Sequence, residues 1–318
     1  MFLKAALFIA CLAAPIQARQ LPAQQQPADN DLRSRIESSP VLPFKAVPLA
    51  AQPPAPGWQS GSVSSVAIDS TGLIYELQRG DDADPILVLD ASGKILRSWS
   101  KGDFELPHTI RLDPGGNVWT VDANSSTVIE YSATGKKLLT IEVGGQPKSE
   151  NPFDGTTDIA FAPNGHLFIT DGYANARILE YTAQGKLIEQ WGRRGTGNGE
   201  FHLPHALQID PHGNLYVADR ENGRIQEFDE HHHFVAEFPH LGRVYSIKLA
   251  GKILWASTAP LDLPTGSPGW VLKLDAHTGK ILGHIDVPEM RAGHSIDVTP
   301  SGEPVVTFGN QLLLFKPQ

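Results

Sequence analysis

The chain has 318 residues, a hydrophobic share of 41% and a net charge of −9, which fits one large globular domain or two small ones and provides no basic face for nucleic acid. Thirty Gly and 25 Pro imply many turns, hence short strands rather than long helices. The only cysteine is Cys11, inside an apolar N-terminal segment. Once that segment is removed, neither disulfides nor thiolate ligands are available, and any metal must be held by His, Asp or Glu.

Lys4, the apolar run 5–14 and the small residues after it read as a secretory signal peptide over 1–18, with cuts after Ala14 or Ala18. The apolar run is too short to cross a membrane. The expected location is therefore secreted or periplasmic. Cleavage before Cys11 to give a lipoprotein is the minority alternative, because Phe8 suits that signal poorly. Residues 19–40, rich in Gln, Pro, Ala and Ser, read as a disordered linker, and 41–318 as the folded domain. At its start, "VLPFKAVPLA" (41–50) has the apolar character of a strand.

From residue 61 onward the chain repeats. The clearest unit is 203–238: "LPHALQID", "PHGNLYVADRENG", "RIQEFDEHHH" and "FVAEF", four short strands joined by polar turns. Units at 106–141 and 156–191 repeat it, with others at 63–99, 244–285 and 293–315. Four strands per unit at this period predict an all-β, six-bladed β-propeller. In the fourth unit, Leu215, Val217, Ile225 and Phe228 are expected between sheets, with Gln226 and Glu227 near the outer edge. The sixth unit lacks a fourth strand, and 41–50 would supply it and close the ring.

Aligning the first strands gives six equivalent residues, Ser64, His108, Thr157, His205, Tyr245 and His294, at spacings of 44, 49, 48, 40 and 49. The three histidines fall on alternate blades, so they converge on the ring axis. One histidine at a strand start is more often an ordinary hydrogen-bonding residue; three in register point to a metal site. Zinc is the simplest occupant, since it takes three imidazoles and keeps a fourth position open. Copper or iron would also accept imidazoles. The loops between second and third strands add Arg79, Asp122, Tyr173 and Arg220 to the same mouth. Tyr245 is read as a channel plug, and the run His231–His233, on the opposite hairpin, as solvated.

"DGYANARILEYTAQGKLIEQWG" (171–192) and "GEFHLPHALQIDPHGNLYVADRENGRIQEF" (199–228) resemble the lyase domain of the peptidylglycine amidating enzymes, peptidyl-α-hydroxyglycine α-amidating lyase. "FELPHTIRLD", "AIDSTGLIYELQRGD" and "GHSIDV" extend the likeness across roughly residues 58–315. Asp219, Asn222 and Arg224 match the turn of NHL-type repeats, where such residues tie blades together. The resemblance implies a six-bladed NHL propeller with zinc on His108, His205 and His294, a catalytic tyrosine at Tyr173 and active-site arginines at Arg79 and Arg220. It implies peptide amidation chemistry: cleavage of a C-terminal α-hydroxyglycine to an amide and glyoxylate, with Arg79 drawing the Tyr173 pKa down. The family's hydroxylating domain has no counterpart in these residues, so the substrate is expected from elsewhere.

The family also binds a structural Ca²⁺ in the channel, through backbone carbonyls that fall here at Val66 and Ile110. Its acidic ligand is replaced by Ser295, with Asp297 nearby, and the methionine before the third histidine is Ala292. Two other functions stay open. One is a non-catalytic extracytoplasmic propeller binding a peptide or glycan; the other is a zinc enzyme of this fold acting on another carbinolamide or a lactone. The expected partner is a small-molecule or peptide substrate, and the expected state is a monomer.

Overall fold

The computed structural model describes residues 34–145, 153, 155–265, 267–291 and 293–318. The signal peptide, most of the linker and Ala292 lie outside these residues. Six four-stranded antiparallel sheets are arranged as the blades of a propeller. Blade one runs from Val63–Ile68 to Ile95–Trp99, blade two from Pro107–Leu112 to Lys137–Glu142, and blade three from Asp158–Phe161 to Leu187–Trp191. Blade four runs from Pro204–Ile209 to Phe234–Phe238 and blade five from Arg243–Ala250 to Ile281–Arg291. The last strand of blade five continues past residue 285, where the sequence pattern ends it.

Blade six has three C-terminal strands, Ile296–Val298, Pro304–Phe308 and Gln311–Pro317. Its fourth is Phe44–Leu49, antiparallel to Gln311–Pro317 with Phe44 opposite Pro317 and Leu49 opposite Leu312. The ring is thus closed by joining the two ends of the chain, which covers the edge that the C-terminal strand would otherwise expose.

Each sheet is apolar on both faces because it packs between two neighbours. Tyr75, Leu77, Ile86 and Val88 of blade one meet Ile110, Val118 and Ile129 of blade two. On its other face, Ile74, Leu87 and Leu89 meet Val305, Leu312 and Leu314 of blade six. Residues 34–37 form one helical turn whose Ile36 is fully buried against Phe238, Leu241 and Leu272. The linker reading therefore fails over its last residues: a single apolar side chain docks this segment on blades four and five. Gln226 and Glu227 also differ from expectation. Both are buried, and Gln226 donates to the carbonyl of Glu200 while accepting from the amide of Gly199. It fastens a loop rather than facing solvent. Among the described residues, no helix is long and apolar enough to cross a membrane.

Candidate metal centre and active site

The first strand of each blade lines the channel, and in four blades it begins with a β-bulge. The register shifts between Val63 and Ser65, Pro107 and Thr109, Pro204 and Ala206, and Val244 and Ser246. The residues skipped are Ser64, His108, His205 and Tyr245, four of the six ring positions. A bulge re-aims the side chain it carries, and here it turns both imidazoles toward the axis. His294 arrives differently, from a bend two residues ahead of the short strand Ile296–Val298.

The three imidazoles do converge. Their ring centroids are 4.6 to 5.0 Å apart, and one nitrogen of each lies within 4.8 Å of the others. The remaining nitrogens are all used in the same way. His108 Nδ1 donates to the carbonyl of Thr157 at 2.6 Å, His205 Nδ1 to that of Tyr245 at 2.6 Å, and His294 Nδ1 to that of Ser64 at 2.7 Å. A carbonyl can only accept, so the proton sits on Nδ1 and the Nε2 lone pair faces inward. Each donor reaches the equivalent residue of the next blade. The ring therefore alternates side-chain nitrogens with backbone oxygens, and Ser64, Thr157 and Tyr245 are the orienting half of the site. The aligned positions held that signal, but a backbone carbonyl leaves no mark on residue type.

Burial holds the pKa of His108 and His205 well below the usual imidazole value, helped by the neighbouring cations. Burial and Arg79 push His294 down to about 3. Neutral imidazole is the ligating form. The cluster can hold a metal ion, and three neutral imidazole nitrogens suit zinc among other divalent ions.

Tyr173 follows the second strand of blade three and lies over the cluster. Its Oη is 2.9 Å from His108 Nε2 and 3.2 Å from His205 Nε2. Arg220 approaches from blade four, 5.9 Å from the Tyr173 ring centroid and 5.3 Å from that of Tyr245, while its Nε is held by Glu221 at 2.9 Å. Arg79 comes from blade one. Its Nε donates to the carbonyl of Pro107 at 2.8 Å, and its Nη2 is buried without a hydrogen-bond partner. Phe153, which sequence reasoning passed over, packs 5.3 Å from the Tyr173 ring.

The expected fall in the Tyr173 pKa is not what these residues produce. Burial raises it above the ordinary phenol value, and Arg220 and Arg79 only oppose that rise. Tyr245 is more than a plug, since its carbonyl orients His205 and its ring lies beneath Arg220. Asp122 ties two segments of blade two together, accepting from the amides of Glu105 and Leu106 before the first strand and of Asn124 and Ser125 in its own loop. Asp219 likewise binds Asn222 at 2.7 Å and Arg224 at 2.8 Å, and Arg224 reaches the carbonyls of Thr196, Gly197 and Glu200. This is the blade-tying role expected of that turn.

Below the mouth the residues do not fit calcium. Arg111 donates to the Ile110 carbonyl at 3.2 Å and pairs with Asp158 at 2.8 Å. Lys248 pairs with Asp297 at 2.6 Å, and Ser295 Oγ is shared between Ser65 Oγ and the amide of Val66. A guanidinium and an ammonium already stand where a dication would have to compete. Hard oxygen ligands that are paired with cations make a poor Ca²⁺ cage.

A family model described as "6-bladed beta-propeller" matches residues 146–241. The chain is 33% identical over 293 residues to peptidyl-glycine alpha-amidating monooxygenase of Mus musculus, which covers 79% of this chain and 29% of that protein. It is 40% identical over 175 residues to peptidyl-alpha-hydroxyglycine alpha-amidating lyase 1 of Drosophila melanogaster, covering 50% of this chain and 32% of the other. These relatives support the peptidyl-α-hydroxyglycine α-amidating lyases as the family this chain resembles. The chain spans less than a third of the length of either relative. Among solved structures, a streptogramin B lyase superposes with a TM-score of 0.60 at 13% identity, over 86% of this chain and 98% of that one. At that identity the likeness is one of fold alone. The lyase family and the six blades thus agree with the likeness carried by residues 171–192 and 199–228.

Proposed function

We propose that this chain is a zinc-dependent lyase that cleaves the N–C bond of a C-terminal α-hydroxyglycine, releasing a peptide amide and glyoxylate. The observation that carries this reading is the Tyr173 phenol resting against Nε2 of both His108 and His205, under the Arg220 guanidinium and within the field of Arg79. His108, His205 and His294 would hold the zinc through Nε2. When bound, zinc supplies Lewis acidity that favours the ionised form of a substrate hydroxyl.

The chain's own residues do the rest. Tyr173 accepts the hydroxyl proton at Oη as its phenolate, the form that Arg220 and Arg79 favour against burial. The hydroxyl carbon becomes an aldehyde carbon while its bond to nitrogen breaks. The nitrogen leaves with the electron pair, and Tyr173 Oη returns a proton to it. Atoms balance without any co-reactant. Arg79 supplies a donor for the carboxylate that becomes glyoxylate: a buried donor with no partner costs of order 1–3 kcal/mol, recovered when an acceptor arrives. Arg220 adds a second guanidinium for the same anion.

The test is Tyr173→Phe, assayed for glyoxylate release with metal content measured in parallel. The expected result is a fall in kcat of about a hundredfold or more, with zinc retained. Unchanged kcat would remove the phenol from the reaction.

A further inference from the structure

A second group of metal-ligating side chains lies far from the channel mouth, on the outer edges of blades three and four. In the turns between third and fourth strands of blades one, two and three, the position with positive φ is glycine: Gly93 at 86°, Gly135 at 89° and Gly185 at 77°. In blade four that position is His232, at φ 64°. A residue with a β-carbon avoids this conformation, so the imidazole is placed there at a conformational cost.

Its neighbours explain what the side chain gains. His232 is not solvated, as its run suggested; its side chain is 14% exposed, against 72% for His231 and 76% for His233. The ring stacks on Trp191 at 5.3 Å with an interplanar angle of 18° and meets the Phe168 ring edge-on at 5.5 Å. Nδ1 is 2.8 Å from Glu189 Oε1, and Nε2 is 3.7 Å from Glu180 Oε2. Glu180 and Glu189 are directly opposite each other on adjacent antiparallel strands. Two carboxylates in that relation repel unless a cation lies between them. The other Glu180 oxygen is held by His166 Nδ1 at 2.5 Å. Only Glu189, 53% exposed, opens to solvent.

One oxygen of each glutamate and one nitrogen of His232 lie within 4.8 Å of one another. We propose that Glu180, Glu189 and His232 form a second divalent-metal site of the zinc class, which clamps blade three to blade four at the rim. One imidazole and two carboxylates match zinc chemistry and leave a fourth position for water. His166 orients the Glu180 carboxylate from outside the ligand set, as such hydrogen bonds commonly do. The described residues contain no cysteine, so no disulfide can make this cross-link. The ion would offset the opposed carboxylates and tie a turn of one blade to two strands of the next.

The experiment is a zinc titration of the untagged, chelator-stripped full chain against a competing indicator, comparing wild type with His232→Gly and Glu189→Gln. His232→Gly restores the residue of the other turns, and Glu189→Gln alters a half-exposed side chain, so both keep the fold. Each variant is expected to bind one equivalent less than wild type, whatever the channel binds, and to lose part of the zinc-induced rise in Tm. The double change His231→Ala/His233→Ala should keep that equivalent. Equal stoichiometry in wild type and His232→Gly would overturn the proposal. So would loss of the equivalent in the double variant, which would assign it to the exposed histidines.

Discussion

The mouth of the channel and the tier beneath it are built largely from the same first strands, one to three residues apart, yet they treat charged groups differently. At the mouth, three imidazoles are kept neutral with inward lone pairs, and the buried Nη2 of Arg79 has no partner. One tier down, Asp158 is met by Arg111 and Asp297 by Lys248. Buried polar groups are normally satisfied, and an unsatisfied one calls for an explanation. The lower tier pairs its charges with one another inside the fold, leaving Arg111 Nε as its one unpartnered guanidinium donor. The upper tier is complete only when something binds.

The largest expected effect is on the mouth. His205→Ala should weaken zinc binding in the channel by more than about a hundredfold, since even losing an orienting partner of a ligand costs 10–100-fold. Equilibrium dialysis in a His232→Gly background removes the rim contribution; undiminished affinity there would separate His205 from the metal. Next comes the lower tier. Lys248→Met leaves Asp297 buried without its cation and should cost about 3 kcal/mol in urea unfolding. Lys248→Met/Asp297→Asn should recover most of it; no recovery would mean that the pair is not what stabilises this level.

Glu76 sharpens the contrast from outside both tiers. It is fully buried in blade one, its Oε1 accepts from Ser60 Oγ, and its Oε2 has no partner. Burial raises its pKa to about 7. A raised carboxyl stabilises the fold below its unfolded pKa, and that stability is lost as pH rises from about 4.5 to about 7. Glu76→Gln should therefore be more stable than wild type at pH 8 by about 2–3 kcal/mol relative to their difference at pH 4.5. A pH-independent difference in urea midpoints would refute this. The smallest effect concerns calcium: a calcium-selective chelator should leave Tm unchanged, and a drop of several degrees would show that Arg111 and Lys248 do not exclude the ion.

The blades, their order and the closing strand were readable because each repeat carries its own turn residues and alternation. The three histidines were readable because a ring converts equal spacing into convergence. What escaped the sequence was set by contacts across the fold. Ile36 looked like linker because one apolar residue among polar ones gives no period, yet it fills a gap between blades. His232 looked solvated because its run is polar, while its stacking partner Trp191 lies on another blade; only its place at a glycine position of the turn hinted otherwise. Tyr173 looked like a phenol made acidic by arginine because burial, which outweighs that effect, is not written in neighbouring residues.

The most direct test of the central claim is glyoxylate release from a peptide ending in α-hydroxyglycine, before chelation, after chelation and after zinc is restored. The account predicts release that disappears with the metal and returns with zinc. Fully zinc-loaded, folded protein that releases no glyoxylate would contradict it.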